Sequence, residues 1–248
     1  MNSDFFFEAH RNLPRQGPGD EASTLRALVL AGSLPEELHV LDLGCGPGMQ
    51  TLVLARALPG ARITAVDLHE PFLDELRARA RAADLDGRLE TLAADMAELP
   101  FEDGSFDLIW AEGSIYNLGF DRGLRLWKRL LRPGGVLACT ELAWLVSDPP
   151  QEAVRYWETG YHGMRQAPAN MEAARAAGYD ILGSFPLPLS AWRKDYYDPL
   201  RRNLEAMRVR RADDSEALEV IAAEEAEMDI FRRHGTSYGY VFYILRKP

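Results

Sequence analysis

Between residues 38 and 142, short apolar runs alternate with longer amphipathic ones, and that alternation leaves few architectures open. The spacing predicts strands over 38–43, 62–66, 88–93, 106–110 and 136–142, with helices over 49–57, 71–83 and 121–131 between them. Strands that alternate with helices need crossover connections, which build a parallel sheet with helices on both faces. The strand cores are apolar without interruption, as burial on both faces demands. Upstream, 23–33 reads as a helix after the break Leu-Pro-Arg-Gln-Gly-Pro-Gly.

The last hundred residues are less regular. Helices are expected near 151–165 and 169–177, a sixth strand over 179–185, and an aromatic, alternating seventh over 236–245. The stretch between these strands reads as helical. Its first part carries Arg201, Arg202, Arg208, Arg210 and Arg211, and its acidic second part is capped by Asp213 or Asp214 and ended by Gly235. Leu218, Ile221, Met228 and Phe231 form its apolar stripe. The expected fold is α/β, a doubly wound, mostly parallel sheet of seven strands in a single domain of 1–248. Its parts are a helical N-terminal lid (1–33), a sheet core (38–187 and 235–248) and a helical insertion (188–234) over the ligand face.

Composition removes several function classes. Twenty-eight basic against 38 acidic residues give a net charge of −10, which disfavours a phosphate backbone as partner. No apolar run reaches the length of a membrane span, and the opening residues do not read as a signal peptide. Cys45 and Cys139 sit in apolar contexts and read as reduced thiols, so a soluble cytoplasmic protein is expected. The five histidines show no metal-ligand spacing, and no metal site is expected.

The chemistry concentrates in Val40-Leu41-Asp42-Leu43-Gly44-Cys45-Gly46-Pro47-Gly48, which joins the first strand to the first helix. Alternate glycines let the backbone turn tightly and leave room for a ligand against the main chain. A dinucleotide fingerprint would place its third glycine at Met49, so a nicotinamide oxidoreductase is the weaker alternative. Asp42 is a poor neighbour for pyrophosphate and a good one for a cation. The loop therefore suits a nucleoside with a positively charged tail. Asp67 ends the second strand, where a carboxylate accepts from ribose hydroxyls. Asp95-Met96 follows the third strand, where a carboxylate and a main-chain N–H suit an adenine edge.

With Leu131-Arg132-Pro133-Gly134-Gly135 before the fifth strand, these motifs stand in the order and spacing of one family. The chain resembles the class I S-adenosylmethionine-dependent methyltransferases, firmly over 38–142. Residues 112–120 and the early Pro-Arg-Gln-Gly-Pro-Gly segment resemble a subgroup of small bacterial methyltransferases. The resemblance implies a strand order of 3-2-1-4-5-7-6 and methyl transfer from S-adenosylmethionine to a small-molecule acceptor, with S-adenosylhomocysteine as product. It implies that Gly44, Gly46 and Gly48 cradle the cofactor, with Cys45, Gln50 and Thr51 beside them, and that Asp42 orients the loop. Asp67 would bind ribose, Leu68 would pack on adenine, and Asp95 with Met96 would read its edge. Glu112 would face the transferred methyl, and Arg15 and Gln16 would reach the methionine carboxylate.

A general base is needed only where the nucleophile arrives protonated. Glu112 ranks first for that role, ahead of Tyr116 and His162. Trp192, Tyr196 and Tyr197 read equally well as packing or as the floor of an acceptor pocket, and the arginine cluster reads as a solvated helix face. A nucleic-acid methyltransferase and a non-catalytic S-adenosylmethionine-binding protein remain as alternatives. Monomer and homodimer are equally open.

Overall fold

The computed structural model describes residues 3–248. The first two residues of the expected lid lie outside that range. In chain order the elements are α1 (Ser3–Ala9), α2 (Glu21–Ala31), β1 (His39–Leu43), α3 (Met49–Ala57), β2 (Arg62–Asp67), α4 (Glu70–Ala82), β3 (Leu89–Ala93), β4 (Phe106–Ala111), α5 (Phe120–Lys128) and β5 (Leu131–Trp144). There follow α6 (Gln151–Gly160), β6 (Arg165–Gln166), α7 (Ala167–Ala176), β7 (Asp180–Pro186), α8 (Ser190–Trp192), a π-helical turn (Arg193–Tyr197), α9 (Asp198–Arg210), α10 (Ser215–His234) and β8 (Tyr238–Arg246).

The sheet runs β3-β2-β1-β4-β5-β8-β7, parallel except for β8, which is antiparallel to both of its neighbours. This is the expected seven-strand order, with β7 and β8 as its sixth and seventh strands. The addition is β6, two residues paired with Ala143 and Trp144 at the end of β5. It takes the place of the last turn of the helix expected near 151–165, because α6 stops at Gly160.

Alternation along the buried strands divides the core. Leu41, Ile109, Leu137 and Tyr243 pack on one face, and Val40, Leu108, Ala138 and Phe242 on the other. The second correction concerns Pro133-Gly134-Gly135, expected to end a helix and precede a strand. The segment lies inside β5: pairing jumps from Phe106↔Leu131 to Leu108↔Val136, so the extra residues form a bulge.

A third core joins the lid to the insertion. Ala9 and Leu13 pack with Trp192, Leu200, Leu204, Met207, Ile221 and Phe231. Trp192 stacks on Phe231 at 4.4 Å, and Trp192 and Tyr197 are buried, so these two aromatics are packing residues. Asp214 caps α10 through Ala217 N–H. Of the expected stripe, Ile221, Met228 and Phe231 are buried and Leu218 is partly buried. Three arginines at and just beyond the end of α9 bind acids: Arg208 pairs with Glu225, and Arg210 and Arg211 both reach Glu8 on α1. Residues 188–234 thus hold the N-terminal segment while their basic face stays in solvent.

Candidate active site

A cavity of about 740 Å3 opens at the carboxyl ends of β1, β2, β3 and β4, under the N-terminal segment. Open α/β sheets bind ligands at this edge, where strand order reverses. Here the reversal falls between β1 and β4, on either side of which the chain departs in opposite directions.

The glycine loop forms one wall. Gly44 and Cys45 N–H both donate to Val66 O, which ties the loop to β2. Gly44 and Gly48 have positive φ, 69° and 84°. A Cβ on Gly44 would stand 2.4 Å from Ser114 Cβ, and one on Gly48 would stand 2.1 Å from Leu76 Cδ1. The two glycines therefore admit the post-β4 loop and α4, not only a ligand; Gly48 does not line the cavity.

Beneath the loop Asp42 is fully buried. Its Oδ2 accepts from Thr51 Oγ1 at 2.6 Å and from Gln50 Nε2 at 3.3 Å, while Oδ1 has no partner. Burial pushes its carboxyl up to about 7. Gln50 reaches the cavity and also donates to Cys45 O, whereas Thr51 stays behind the wall as a support for Asp42. The Cys45 thiol is raised by burial and is inert as a nucleophile.

Asp67 sits at the end of β2 with both oxygens in use. Oδ2 accepts from Gly46 N–H at 2.8 Å and Oδ1 from His69 N–H at 2.9 Å. Each oxygen keeps a second lone pair for a hydroxyl. Leu68, 76% exposed, presents a bare apolar side chain to the cavity. Asp95 accepts from Ala97 N–H at 2.8 Å, a turn that brings Asp95 and Met96 to the same wall.

Glu112 is where the expectation changes most. It is buried, and three donors hold it: Arg15 Nη1 at 2.7 Å, Thr24 Oγ1 at 2.6 Å and Trp110 Nε1 at 2.8 Å. Both of its oxygens are thus engaged by the protein itself. Its partners show what it does instead: it fastens the segment around Arg15 to the end of β4. Gln16, next in that segment, donates to His10 O and has a buried, unpartnered Oε1. His162 is excluded from the site, since it lies in an exposed turn after α6 and does not line the cavity. Tyr116 does line it, with 39% of its surface open to solvent.

Sequence reasoning missed an aromatic wall. Phe7 of α1 stacks on His69 at 3.9 Å with ring planes 3° apart, and Phe72 meets both edge-on. The Phe5-Phe6-Phe7 run was a visible signal, but nothing local said where it would dock. Ser114, whose hydroxyl donates to Leu43 O at 2.6 Å, and Asn117 also line the cavity.

Two unpartnered buried oxygens, Asp42 Oδ1 and Gln16 Oε1, lie under and over the glycine loop. Such acceptors suit a cationic ligand end and repel a pyrophosphate. Residues 40–135 match the methyltransferase domain family. Over 240 residues the chain is 30% identical to the 27-O-demethylrifamycin SV methyltransferase of Amycolatopsis mediterranei, covering 92% of this chain and 85% of that protein. The chain belongs to the class I S-adenosylmethionine-dependent methyltransferases.

It is 33% identical over 171 residues to a trans-aconitate 2-methyltransferase of Paracidovorax citrulli, 65% of this chain and 62% of that one. A Geobacter sulfurreducens S-adenosylmethionine-dependent methyltransferase, solved with S-adenosylhomocysteine, shares the fold with a TM-score of 0.84 at 20% identity. That likeness covers 99% of this chain and 98% of the other. The protein is therefore an enzyme that uses S-adenosylmethionine and transfers its methyl group to a small-molecule acceptor.

Proposed function

We propose that the cavity holds the cofactor along the strand ends, with adenine beside Leu68, Asp95 and Met96, ribose on Asp67, and the methionine end beneath Arg15 and Gln16. The observation that carries this reading is the convergence of the glycine loop, Asp67, Asp95 and Gln16 on one cavity. The cofactor supplies a methyl group on a sulfonium centre. Asp42 then acts from beneath the loop: its carboxylate, unfavourable in the buried apo state, is stabilised by positive charge above it. Gln16 Oε1 accepts from the amino group, and the free N–H groups of Arg15 donate to the carboxylate.

The segment carrying Arg15 and Gln16 works as a lid that shields the reacting atoms from water, and alignment supplies much of the rate. Glu112 is the lid's anchor, and Tyr116 orients the acceptor. A nucleic-acid acceptor is disfavoured, because the α9 arginines closest to a basic patch are bound to acids. The two buried free thiols suit a reducing compartment such as the cytoplasm. No helix among the described residues is long and apolar enough to cross a membrane.

Calorimetry with S-adenosylhomocysteine tests the assignment. Micromolar or tighter binding that falls sharply in Asp67→Ala supports it. Unchanged affinity in that variant removes Asp67 from the ribose site.

A further inference from the structure

Two separate segments meet where the cofactor's amino-acid end is assigned. One is the glycine loop, from which Gly44 to Pro47 line the cavity. The other is a strap, residues 14–18, which also lines it. The chain enters the strap from α1 through Asn12, whose φ of 58° is the left-handed conformation that asparagine tolerates. Strap and loop come close: a Cβ on Gly46 would stand 3.4 Å from Gln16 Cγ.

Behind both stands Arg79 on α4, partly buried and outside the cavity lining. Its Nη1 donates to Pro14 O at 3.3 Å and to Pro47 O at 3.1 Å, and its Nη2 donates to Leu13 O at 3.2 Å and to Glu75 Oε2 at 3.1 Å. One planar cation thus spans the two segments, while Glu75, one turn back on α4, holds it by an ion pair. Leu13, Pro14 and Pro47 lie outside helices and strands, so their carbonyls depend on donors from elsewhere. The strap has two further ties, Arg15 to Glu112 and Gly19 N–H to Ala191 O. Neither involves the glycine loop; the hydrogen-bonded link from strap to loop runs through Arg79.

We propose that Arg79 is a positioning residue: by holding strap and glycine loop on one guanidinium, it sets the width of the gap that receives the cofactor's amino-acid tail. The proposal rests on the cofactor placement given above and assigns a role in it to a residue behind the wall. Without Arg79 the strap and the loop are free to separate, and Gln16 Oε1 moves away from the amino group it accepts from. The nucleoside end is held differently, by Asp67 on Gly46 N–H and Asp95 on Ala97 N–H, and neither bond passes through Arg79.

The test compares two ligands on the full chain: S-adenosylhomocysteine, and 5′-methylthioadenosine, which keeps nucleoside and sulfur and lacks the amino-acid tail. Calorimetry gives both affinities, and stopped-flow displacement gives the dissociation rate of S-adenosylhomocysteine. In Arg79→Met, S-adenosylhomocysteine is expected to bind about tenfold more weakly, the scale of one charge-assisted hydrogen bond, with most of the loss in faster dissociation. The same variant is expected to bind 5′-methylthioadenosine as the parent does. Arg79→Lys keeps the charge without the planar fork and is expected to follow Arg79→Met. Arg77→Met is the control: Arg77 lies on the same helix and binds Glu70, Asp74 and Thr91, so both affinities should stay at the parent's. Equal weakening of the two ligands, unchanged S-adenosylhomocysteine affinity, the same loss in Arg77→Met, or failure of both Arg79 variants to fold overturns the proposal. A parent that binds neither ligand, or an Asp67→Ala variant that binds 5′-methylthioadenosine undiminished, overturns the cofactor placement itself and the proposal with it.

Discussion

The two ends of the cavity are built on different principles. At one end, the cavity is lined from strand termini and the turns that leave them: Gly44 to Pro47 after β1, Asp67 after β2 and Asp95 after β3. Turns at neighbouring strand ends shape these groups, and the bonds from Gly44 N–H to Val66 O and from Gly46 N–H to Asp67 tie them together. At the other end, Glu141, Tyr161 and Tyr116 come from three separated segments, Glu141 accepting from Tyr161 O–H and Tyr161 meeting Tyr116 edge-on.

Arg15 joins the two ends, so its loss should break the comparison most severely. Arg15→Ala strands Glu112 as a buried unpaired charge, and about 3–5 kcal/mol of stability should go with it. Chemical denaturation checks this, and Glu112→Gln should lose stability as well, because it leaves the buried Arg15 guanidinium without its counter-charge. If Glu112 were the general base, Glu112→Gln would instead abolish turnover while leaving cofactor affinity and stability intact. Single-turnover assays beside calorimetry separate the two outcomes.

Gly48→Ala sharpens the cofactor side. The new methyl meets Leu76 and the backbone is left-handed there, so about 2–4 kcal/mol of destabilisation is expected from overpacking and strain together. Asp67→Ala should weaken S-adenosylhomocysteine binding by about 1.5–3 kcal/mol. Part of that loss comes through Gly46, whose N–H the same carboxylate holds.

The last test is a pH dependence. Asp42 is raised to about 7 in the folded chain, above its ordinary value of 3.8, so the native state holds a proton that the unfolded state releases. Its contribution to stability is therefore lost as pH rises from about 4 to about 7. The parent should melt progressively lower than Asp42→Asn over that window, and bound S-adenosylmethionine should narrow the difference. A pH-independent difference between the two proteins would remove Asp42 from the charge balance of the site.

The same contrast explains what could be read from the residues alone. The alternation of strands and helices, the glycine loop, and the strand-end places of Asp67 and Asp95 were legible, because periodicity and turn chemistry are local signals; the strand order came from the family resemblance. Thr51 was placed beside the cofactor but supports Asp42 from behind, since spacing along a helix does not say which face meets the ligand. Glu112 was misread because its partners, Arg15 and Thr24, lie 97 and 88 residues away. The aromatic wall of Phe7, His69 and Phe72 and the bulge in β5 were hidden for the same reason: tertiary contact decides both. Glu141 carried no sequence signal, since an acid in a strand looks solvated until its burial is known.

A crystal structure of the full chain with S-adenosylhomocysteine bears most directly on the central claim, that the strand ends hold the nucleoside while the segment around Arg15 and Gln16 holds the amino-acid end. The account predicts ribose hydroxyls on Asp67, adenine against Leu68 and Met96, the amino group near Gln16 Oε1, and free space running from the sulfur past Tyr116. A ligand bound away from Asp67, or a sulfur walled off from Tyr116, would contradict it.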